Sequence, residues 1–299
     1  MSHQALTDRF PHRATHWRLR TQTLTFDRIP KIMGIVNVTP DSFSDGGKFY
    51  SHEKAIAHAL QLIADGADIL DVGGESTRPY SAPVTAGEEC ERVMPVIDAL
   101  CRQTSVPISI DTSKASVAAP AIGHGATIIN DITGLTGDPN MLSVAVASGA
   151  GVCAMHMQGT PQTMQDNPAY SDVVEDIFCW LRQRRDALLA AGIESDRLCL
   201  DPGIGFGKTH QHNLTLAANC WRFHELGHPL LVGHSRKGFI GKVLGDKDAD
   251  RTAGSVGVAL SLAAQGVQVL RVHDVKAVRE ALHLFAATGG IDSHPLRLE

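Results

Sequence analysis

The chain has 299 residues, of which 43% are hydrophobic and 20% charged, so it can bury a substantial core and is too apolar to be disordered. Its 27 basic and 32 acidic side chains give a formal net charge of −5, which argues against nucleic acid or an anionic membrane as a partner. No apolar run is as long as a membrane span.

The first 30 residues are polar and basic and lack the apolar segment of a signal peptide. We therefore expect residues 1–30 to be a short extension before one domain at 31–299. Six scattered cysteines without a C-x-x-C pair indicate reduced thiols in a cytoplasmic protein, although a single disulfide is compatible with the sequence.

Eight strand-like runs follow the extension, and each is apolar through most of its length, as in parallel strands buried on both faces. They cover residues 31–38, 68–74, 107–113, 127–132, 151–157, 198–203, 229–235 and 267–273. The segments between them have helical spacing, as in Ile56, Leu60 and Ile63. Eight β-then-α units predict a single-domain (β/α)₈ TIM barrel, with a doubly wound open sheet as the alternative.

Nearly every predicted strand ends in polar residues. These are Asn37, Asp71, Asp111, Asn130 with Asp131, His156, Asp201, Ser235, and Arg271 with His273. Because the carboxyl ends of barrel strands surround one mouth, this pattern predicts an active site there better than it predicts eight unrelated helix caps.

The glycine-rich segment DPGIGFGKT at 201–209 matches neither nucleotide-binding pattern. A P-loop needs glycine where Pro202 stands, and a dinucleotide fingerprint needs glycine where Lys208 stands. We expect instead a tight loop that brings Asp201 and Phe206 over a ligand.

The segment GHSRKGFIG at 233–241 predicts an anion or polar-ligand site. Lys237 supplies a cation beside the backbone N–H groups of a predicted helix start. Arg236 also fits a simple surface ion pair. Asn37 can offer a hard oxygen to Mg²⁺ held jointly with a phosphorylated substrate. These residues together favour a barrel enzyme for a flat, hydrogen-bonding heterocycle that carries phosphate or diphosphate.

Eight short segments along the chain form a more specific pattern. They are MGIVNVTPDSFSDGG (33–47), DVGGESTRP (71–79), ISIDTSK (108–114), IIND (128–131), MHMQG (155–159), DPGIGFGK (201–208), SRKGFIG (235–241) and RVHDV (271–275). In this order they resemble the dihydropteroate synthase family. IIND is weak by itself, whereas NVTPDSFSDGG and GGESTRP are highly specific.

The resemblance implies a transferase of folate biosynthesis that joins 4-aminobenzoate to 6-hydroxymethyl-7,8-dihydropterin diphosphate and releases diphosphate. It implies Mg²⁺ shared between Asn37 and the diphosphate, a homodimer, and loops at 39–43 and 76–79 that close over the reacting carbon. The catalytic residues that the resemblance implies in this sequence are Asp111, Lys237 and Arg271. The expected substrate-binding residues are Thr77, Arg78, Asp111, Asn130, Met155, Asp201, Phe206, Ser235, Lys237, Gly238, Arg271 and His273.

Gly238 departs from the family pattern, which commonly has serine there, a residue associated with the carboxylate of 4-aminobenzoate. We expect activity with a weaker carboxylate contact and an altered affinity for sulfonamides, which mimic that substrate. Two alternatives stay open: a pterin-binding methyltransferase and a non-catalytic pterin-binding paralogue. The GGESTRP and SRK segments favour the synthase.

Overall fold

A computed structural model of the chain describes residues 9–39, 48–77, 80–291 and 295. A short antiparallel hairpin, β1 (His16–Arg18) and β2 (Thr23–Thr25), precedes an eight-stranded parallel sheet. The sheet consists of β3 (Lys31–Asn37), β4 (Ile69–Gly73), β5 (Ile108–Asp111), β6 (Ile128–Asp131), β7 (Gly151–Met155), β8 (Leu198–Asp201), β9 (Leu231–Gly233) and β10 (Val269–Val272).

Helices follow each strand of the sheet. They are α1 (Lys48–Ala64), α2 (Ala86–Gln103), α3 (Ala115–Gly123), α4 (Met141–Ser148), α5 (Val173–Ala190), α6 (His210–Ala218), α7 (Gly238–Leu244), α8 (Thr252–Ala264) and α9 (Val275–Ala287). Both α7 and α8 lie between β9 and β10, and 3₁₀ helices at Ser195–Arg197 and Cys220–Leu226 precede β8 and β9. The predicted helical face of α1 packs half-buried against the core at Ile56, Leu60 and Ile63.

The strands close into a barrel. Their order is β8-β7-β6-β5-β4-β3-β10-β9, and the two end strands meet through a parallel bridge between Leu200 and Leu230. The predicted TIM barrel is therefore confirmed over the open-sheet alternative. Paired positions such as Asp111 with Asn130, and Met155 with Asp201, bring the strand ends to one level. Because the strands end at the same level, the polar residues at their carboxyl ends lie close together.

The hairpin closes the opposite, amino-terminal end of the barrel. Trp17, Leu19 and Phe26 are buried against the first inward residues of the strands, and Trp17 Nε1 donates to the carbonyl of Arg197 at 2.7 Å. A Cβ added to Gly151 would lie 2.7 Å from the Leu19 side chain, so a larger residue would not fit there. Residues 9–30 thus pack on the barrel, while a domain boundary at residue 30 stays a prediction.

The six cysteines all lie in the described part of the chain and form no disulfide. Cys153, Cys199 and Cys220 are buried and the other three are half-buried. Among the helices that the structure describes, none combines the length and the apolar character needed to cross a bilayer.

Candidate active site

The carboxyl ends of the strands surround a small cavity of about 50 Å³. It is lined by Ile35, Thr77, Asp111, Asn130, Ile132, Met155, Asp201, Phe206, Gly233, Ser235, Lys237, Arg271 and His273. Most of the predicted substrate-binding residues are therefore gathered in one place, and their roles stay predictions. A larger groove of about 550 Å³ lies at the amino-terminal end, beside the hairpin and away from these strand ends.

Two of the predicted site residues that the structure describes, Asn37 and Gly238, do not line this cavity. Arg78 lies outside the described residues, as do residues 40–43 and 79 of the two predicted loops. Gly238 is exposed at the first position of α7, a helix of only seven residues. Asn37 ends β3 half-buried, paired with Gly73, which in turn pairs with Asp111.

Arg271 lies across the mouth between two carboxylates. Its Nε donates to Asp71 Oδ2 and its second terminal nitrogen donates to Asp111 Oδ2, both at 2.6 Å. Asn130 Nδ2 donates to the same Asp71 oxygen at 3.1 Å. Burial lowers the pKa of Arg271, but the charges of Asp71 and Asp111 outweigh burial and raise it overall. The guanidinium is thus a fixed cation at the centre of the site.

Two carboxylates in the site hold their protons unusually strongly. Burial raises the pKa of Asp111 to about 7, against the opposing effect of Arg271. Burial also raises the pKa of Asp201 to about 6, although the Gly203 N–H donates to Asp201 Oδ1 at 2.7 Å and Lys237 lies nearby. Both groups can accept hydrogen bonds from an amino-substituted ring once they are ionised.

Lys237 and Phe206 form the other wall of the site. The Lys237 ammonium lies 4.0 Å from the centre of the Phe206 ring, a cation–π contact. Removal from water and the positive charge of Arg271 together lower the pKa of Lys237 to about 8, against the opposing effect of Asp201 and Asp111. Lys237 is therefore a cation at neutral pH, but it loses its proton at a lower pH than an ordinary lysine does.

Ser235 and His273 face each other across β9 and β10. Ser235 Oγ accepts from the backbone N–H of His273 at 3.3 Å and lies 3.1 Å from His273 Nδ1. Burial, with the charge of Arg271, lowers the pKa of His273 to about 4, so the ring is neutral near pH 7. With the serine proton directed to Nδ1, Nε2–H is free to donate to a ligand.

The comparisons with known proteins decide the family. The model of pterin binding enzymes matches residues 33–273. The dihydropteroate synthase of Haemophilus influenzae is 47% identical over 261 residues, which cover 87% of this chain and 94% of that relative. The chain belongs to the dihydropteroate synthase family.

Solved structures agree with this assignment. The Yersinia pestis dihydropteroate synthase with a sulfonamide drug complex has a TM-score of 0.85 and 45% identity, covering 91% of this chain and 98% of that one. The Xanthomonas albilineans dihydropteroate synthase with 4-aminobenzoic acid has a TM-score of 0.86 and 44% identity, covering 92% and 98%. The predicted resemblance is confirmed.

In this member of the dihydropteroate synthase family, not every polar strand end faces the mouth. Asp131 turns the other way and caps its own loop, accepting from the Thr133 N–H at 2.7 Å and the Leu135 N–H at 3.2 Å. His156 faces the buried Lys208. Arg236 pairs with Asp274 and is half-exposed, so the surface ion pair is the correct interpretation for this residue.

Two residues at the site received no role from the sequence. Asp71 ends a predicted strand, but its bond to Arg271 joins residues 200 positions apart. In the sequence Lys208 bears only on the nucleotide-binding motifs, yet in the fold it is buried and contacts the Phe206 carbonyl. A lysine next to the glycine-rich loop, in a segment with few other charges, is the signal that could have marked it.

A partly buried ion cluster anchors the loop that carries Thr77. Lys114 Nζ donates to Glu75 Oε2 at 2.7 Å and to the buried Glu89 Oε2 at 2.6 Å. The other Glu75 oxygen accepts from the Val84 N–H at 2.8 Å. The two ends of the loop between β4 and α2 are therefore held together beside the cavity.

The side chains at the mouth could bind a metal ion only if the substrate supplied some of the ligands. Among the residues that the structure describes, no group of three or more His, Cys, Asp or Glu side chains could hold one. Asn37 offers one amide oxygen at the end of β3. Because Mg²⁺ commonly keeps water and takes phosphate oxygens as ligands, a single protein oxygen fits an ion that arrives with a diphosphate.

Proposed function

We propose that this chain condenses 6-hydroxymethyl-7,8-dihydropterin diphosphate with 4-aminobenzoate to give 7,8-dihydropteroate and diphosphate. The observation that carries the proposal is the convergence on one cavity of Asp111, Asn130, Asp201 and Lys237, from the ends of β5, β6 and β8 and from the loop after β9. The chemistry of these groups matches an amino-pterin ring, which presents adjacent donors and acceptors. The family to which the chain belongs gives the reaction.

The pterin ring would lie between polar and apolar walls. Asp201 and Asp111 accept hydrogen bonds from its amino and ring N–H groups, while Asn130 and Lys237 can donate to its carbonyl and ring nitrogens. Met155 and Phe206 supply the apolar contacts that exclude water from the ring. The guanidinium of Arg271 packs on the ring face, because planar cations stack well on heterocycles.

The diphosphate would lie toward β9 and β10. His273, oriented by Ser235, offers a neutral Nε2–H donor there, and Arg271 supplies the permanent charge. Thr77 approaches from the loop after β4, and Arg78 adjoins it in the sequence. Asn37 would hold Mg²⁺ jointly with the diphosphate, and the bound ion would supply Lewis-acid stabilisation of the departing charge.

The reaction needs no strong protein base. The bond between the exocyclic carbon and the diphosphate oxygen breaks with its electron pair going to diphosphate, which Arg271 stabilises. The cation that remains is spread over the pterin, and ionised Asp111 lowers its energy. The neutral amine of 4-aminobenzoate then forms the carbon–nitrogen bond and afterwards loses a proton. The protein's task is therefore positioning and electrostatic stabilisation.

One assay tests the proposal against its alternatives. The chain is incubated with the pterin diphosphate, Mg²⁺ and 4-aminobenzoate, and diphosphate release is measured, with Asp201→Asn as the control that loses the pterin contact. Release that depends on 4-aminobenzoate supports the synthase. Its absence rejects the synthase in favour of a pterin-binding methyltransferase or a non-catalytic paralogue.

We also propose a cytoplasmic homodimer. Free cysteines support a reducing compartment. Val243 and Leu244 at the end of α7 are 63% and 51% exposed, which supports a contact between two copies there. Light scattering of the purified chain tests the dimer: a mass of one 32.0 kDa chain contradicts it.

A further inference from the structure

Lys208 is a fully buried lysine that the reaction does not use directly. It follows the glycine-rich loop and is only 2% exposed. Burial of an amine is costly, and here burial lowers the pKa of Lys208 well below its usual range. Favourable contacts within the protein must offset this free-energy cost of burial.

The Lys208 amino group lies within hydrogen-bond distance of three acceptor atoms. Nζ lies 2.8 Å from the Phe206 carbonyl oxygen, 3.0 Å from His156 Nδ1 and 3.4 Å from the His156 carbonyl oxygen. Burial also lowers the pKa of His156 to about 3, so the ring is neutral and Nδ1 can accept. The glycine at 203 is required by the same packing, because a Cβ there would lie 1.9 Å from the His156 carbonyl oxygen.

These contacts join two different walls of the cavity. His156 directly follows Met155 at the end of β7, and Phe206 belongs to the loop after β8. Met155 and Phe206 both line the cavity, and the Phe206 ring contacts the Lys237 ammonium. The Lys208 amino group thus links the backbone segments beneath both apolar walls.

The rest of the glycine-rich loop is fixed from the other side. Asn213 Oδ1 accepts from the Gly205 N–H at 2.7 Å, and Tyr170 donates to the Gly207 carbonyl at 2.8 Å. Lys208 supplies the link from this loop to β7. The glycine-rich loop that carries Phe206 is therefore held by contacts on both of its sides.

We propose that Lys208 is a positioning residue for the pterin substrate. Its amino group holds the main chain of Phe206 at a fixed distance from the end of β7, and so fixes the gap between Met155 and Phe206 into which the ring fits. This inference rests on the proposed function, because the ring is that of its substrate.

Lys208→Met tests the proposal, since methionine keeps an unbranched apolar stem and removes the donor. We expect the KM for the pterin diphosphate to rise about ten-fold or more, the effect of losing several buried hydrogen bonds, with kcat changed less than about three-fold. A KM within two-fold of the wild-type value overturns the proposal.

Arg13→Met is the matched control for lost stability. Arg13 also donates to two main-chain carbonyls, those of Gly266 at 2.7 Å and Asp27 at 3.1 Å, but it lies at the amino-terminal end of the barrel. Both variants should melt at lower temperature. Only Lys208→Met should raise KM, and an equal rise in Arg13→Met also overturns the proposal.

A second pair of variants serves if Lys208→Met does not fold. His156→Asn keeps an acceptor near the position of Nδ1, and His156→Leu removes it. We expect the leucine variant to raise the KM for the pterin diphosphate and the asparagine variant to restore it to within three-fold. Equal KM values for these two variants overturn the proposal. A wild-type chain without 4-aminobenzoate-dependent diphosphate release overturns the proposed function itself, a result separate from these.

Discussion

Arg271 Nε donates to Asp71 Oδ2 at 2.6 Å, although 200 positions separate the two residues along the chain. Asp71 is completely buried, and its other carboxylate oxygen has no hydrogen-bond partner within the described protein. A buried carboxylate of this kind is held by its cation, and it fixes the plane and direction of the guanidinium in return. Asp71 thus orients the residue that is expected to pack on the pterin.

Asp71→Asn should therefore lower kcat/KM for the pterin diphosphate by at least about ten-fold, the cost of one hydrogen bond to a charged group. Diphosphate release measures the effect. Asp68→Asn is the matched control, because Asp68 pairs with Arg279 just before the other end of β4. Comparable losses of kcat/KM in both variants would show that Asp71 has only a structural role.

The pH dependence of kcat/KM for the pterin diphosphate should be bell-shaped. The raised pKa values of Asp201, about 6, and Asp111, about 7, mean that both carboxyls become protonated as the pH falls through this range. The lowered pKa of Lys237, about 8, means that its charge is lost as the pH rises through 8. We expect the maximum between about pH 7 and 8.

Lys237→Arg separates the limbs of this profile. Arginine stays charged throughout the range, so the alkaline limb should move upward or disappear while the acid limb stays in place. Rates from pH 5 to 9.5 give both limbs even when the maximum rate is lower. An alkaline limb at the same pH in both proteins would contradict the assignment to Lys237.

The strand ends were predictable because a parallel barrel brings them to one rim whatever the intervening helices do. Asp111, Asn130 and Asp201 therefore lie together as their places at the ends of apolar runs predicted. The position of a residue at a strand end does not by itself show that its side chain enters the site. Asn130 and Asp131 point to opposite faces because side chains alternate, so only the first enters the site.

Contacts between distant segments could not be predicted in this way. The sequence does not show that Lys208 meets His156, 52 positions away, since lysine is ordinarily a surface residue. The β1–β2 hairpin was equally hidden, because its strands have three residues each and carry no long apolar run. Its importance follows from Trp17, which only the fold places beneath the barrel.

Trp17→Ala should lower the free energy of unfolding by about 3–5 kcal/mol, as expected for a fully buried aromatic residue. Urea denaturation measures this value. Trp221→Ala is the matched control, since Trp221 is 45% exposed and should cost less than about 1 kcal/mol. Equal costs would show that the hairpin is not part of the cooperative barrel.

Lys114→Met should lower the free energy of unfolding by about 3–5 kcal/mol, because it leaves the buried Glu89 without its cation. Adding Glu89→Gln removes the uncompensated charge and should restore at least half of the loss. Urea denaturation of both variants tests this coupling. A double variant less stable than Lys114→Met would contradict it.

Gly238→Ser should lower the KM for 4-aminobenzoate, by up to about ten-fold, if the serine hydroxyl restores a hydrogen bond to the substrate carboxylate. The substitution fits sterically, since a Cβ at this position would be 3.5 Å from His210 Cε1, an ordinary contact. Gly257→Ser on α8 is the matched control, because a Cβ there meets nothing within 4 Å. It should leave KM unchanged. Inhibition by a sulfonamide, measured in the same assay, should change with KM in Gly238→Ser alone. An unchanged KM in Gly238→Ser would remove this position from the 4-aminobenzoate site.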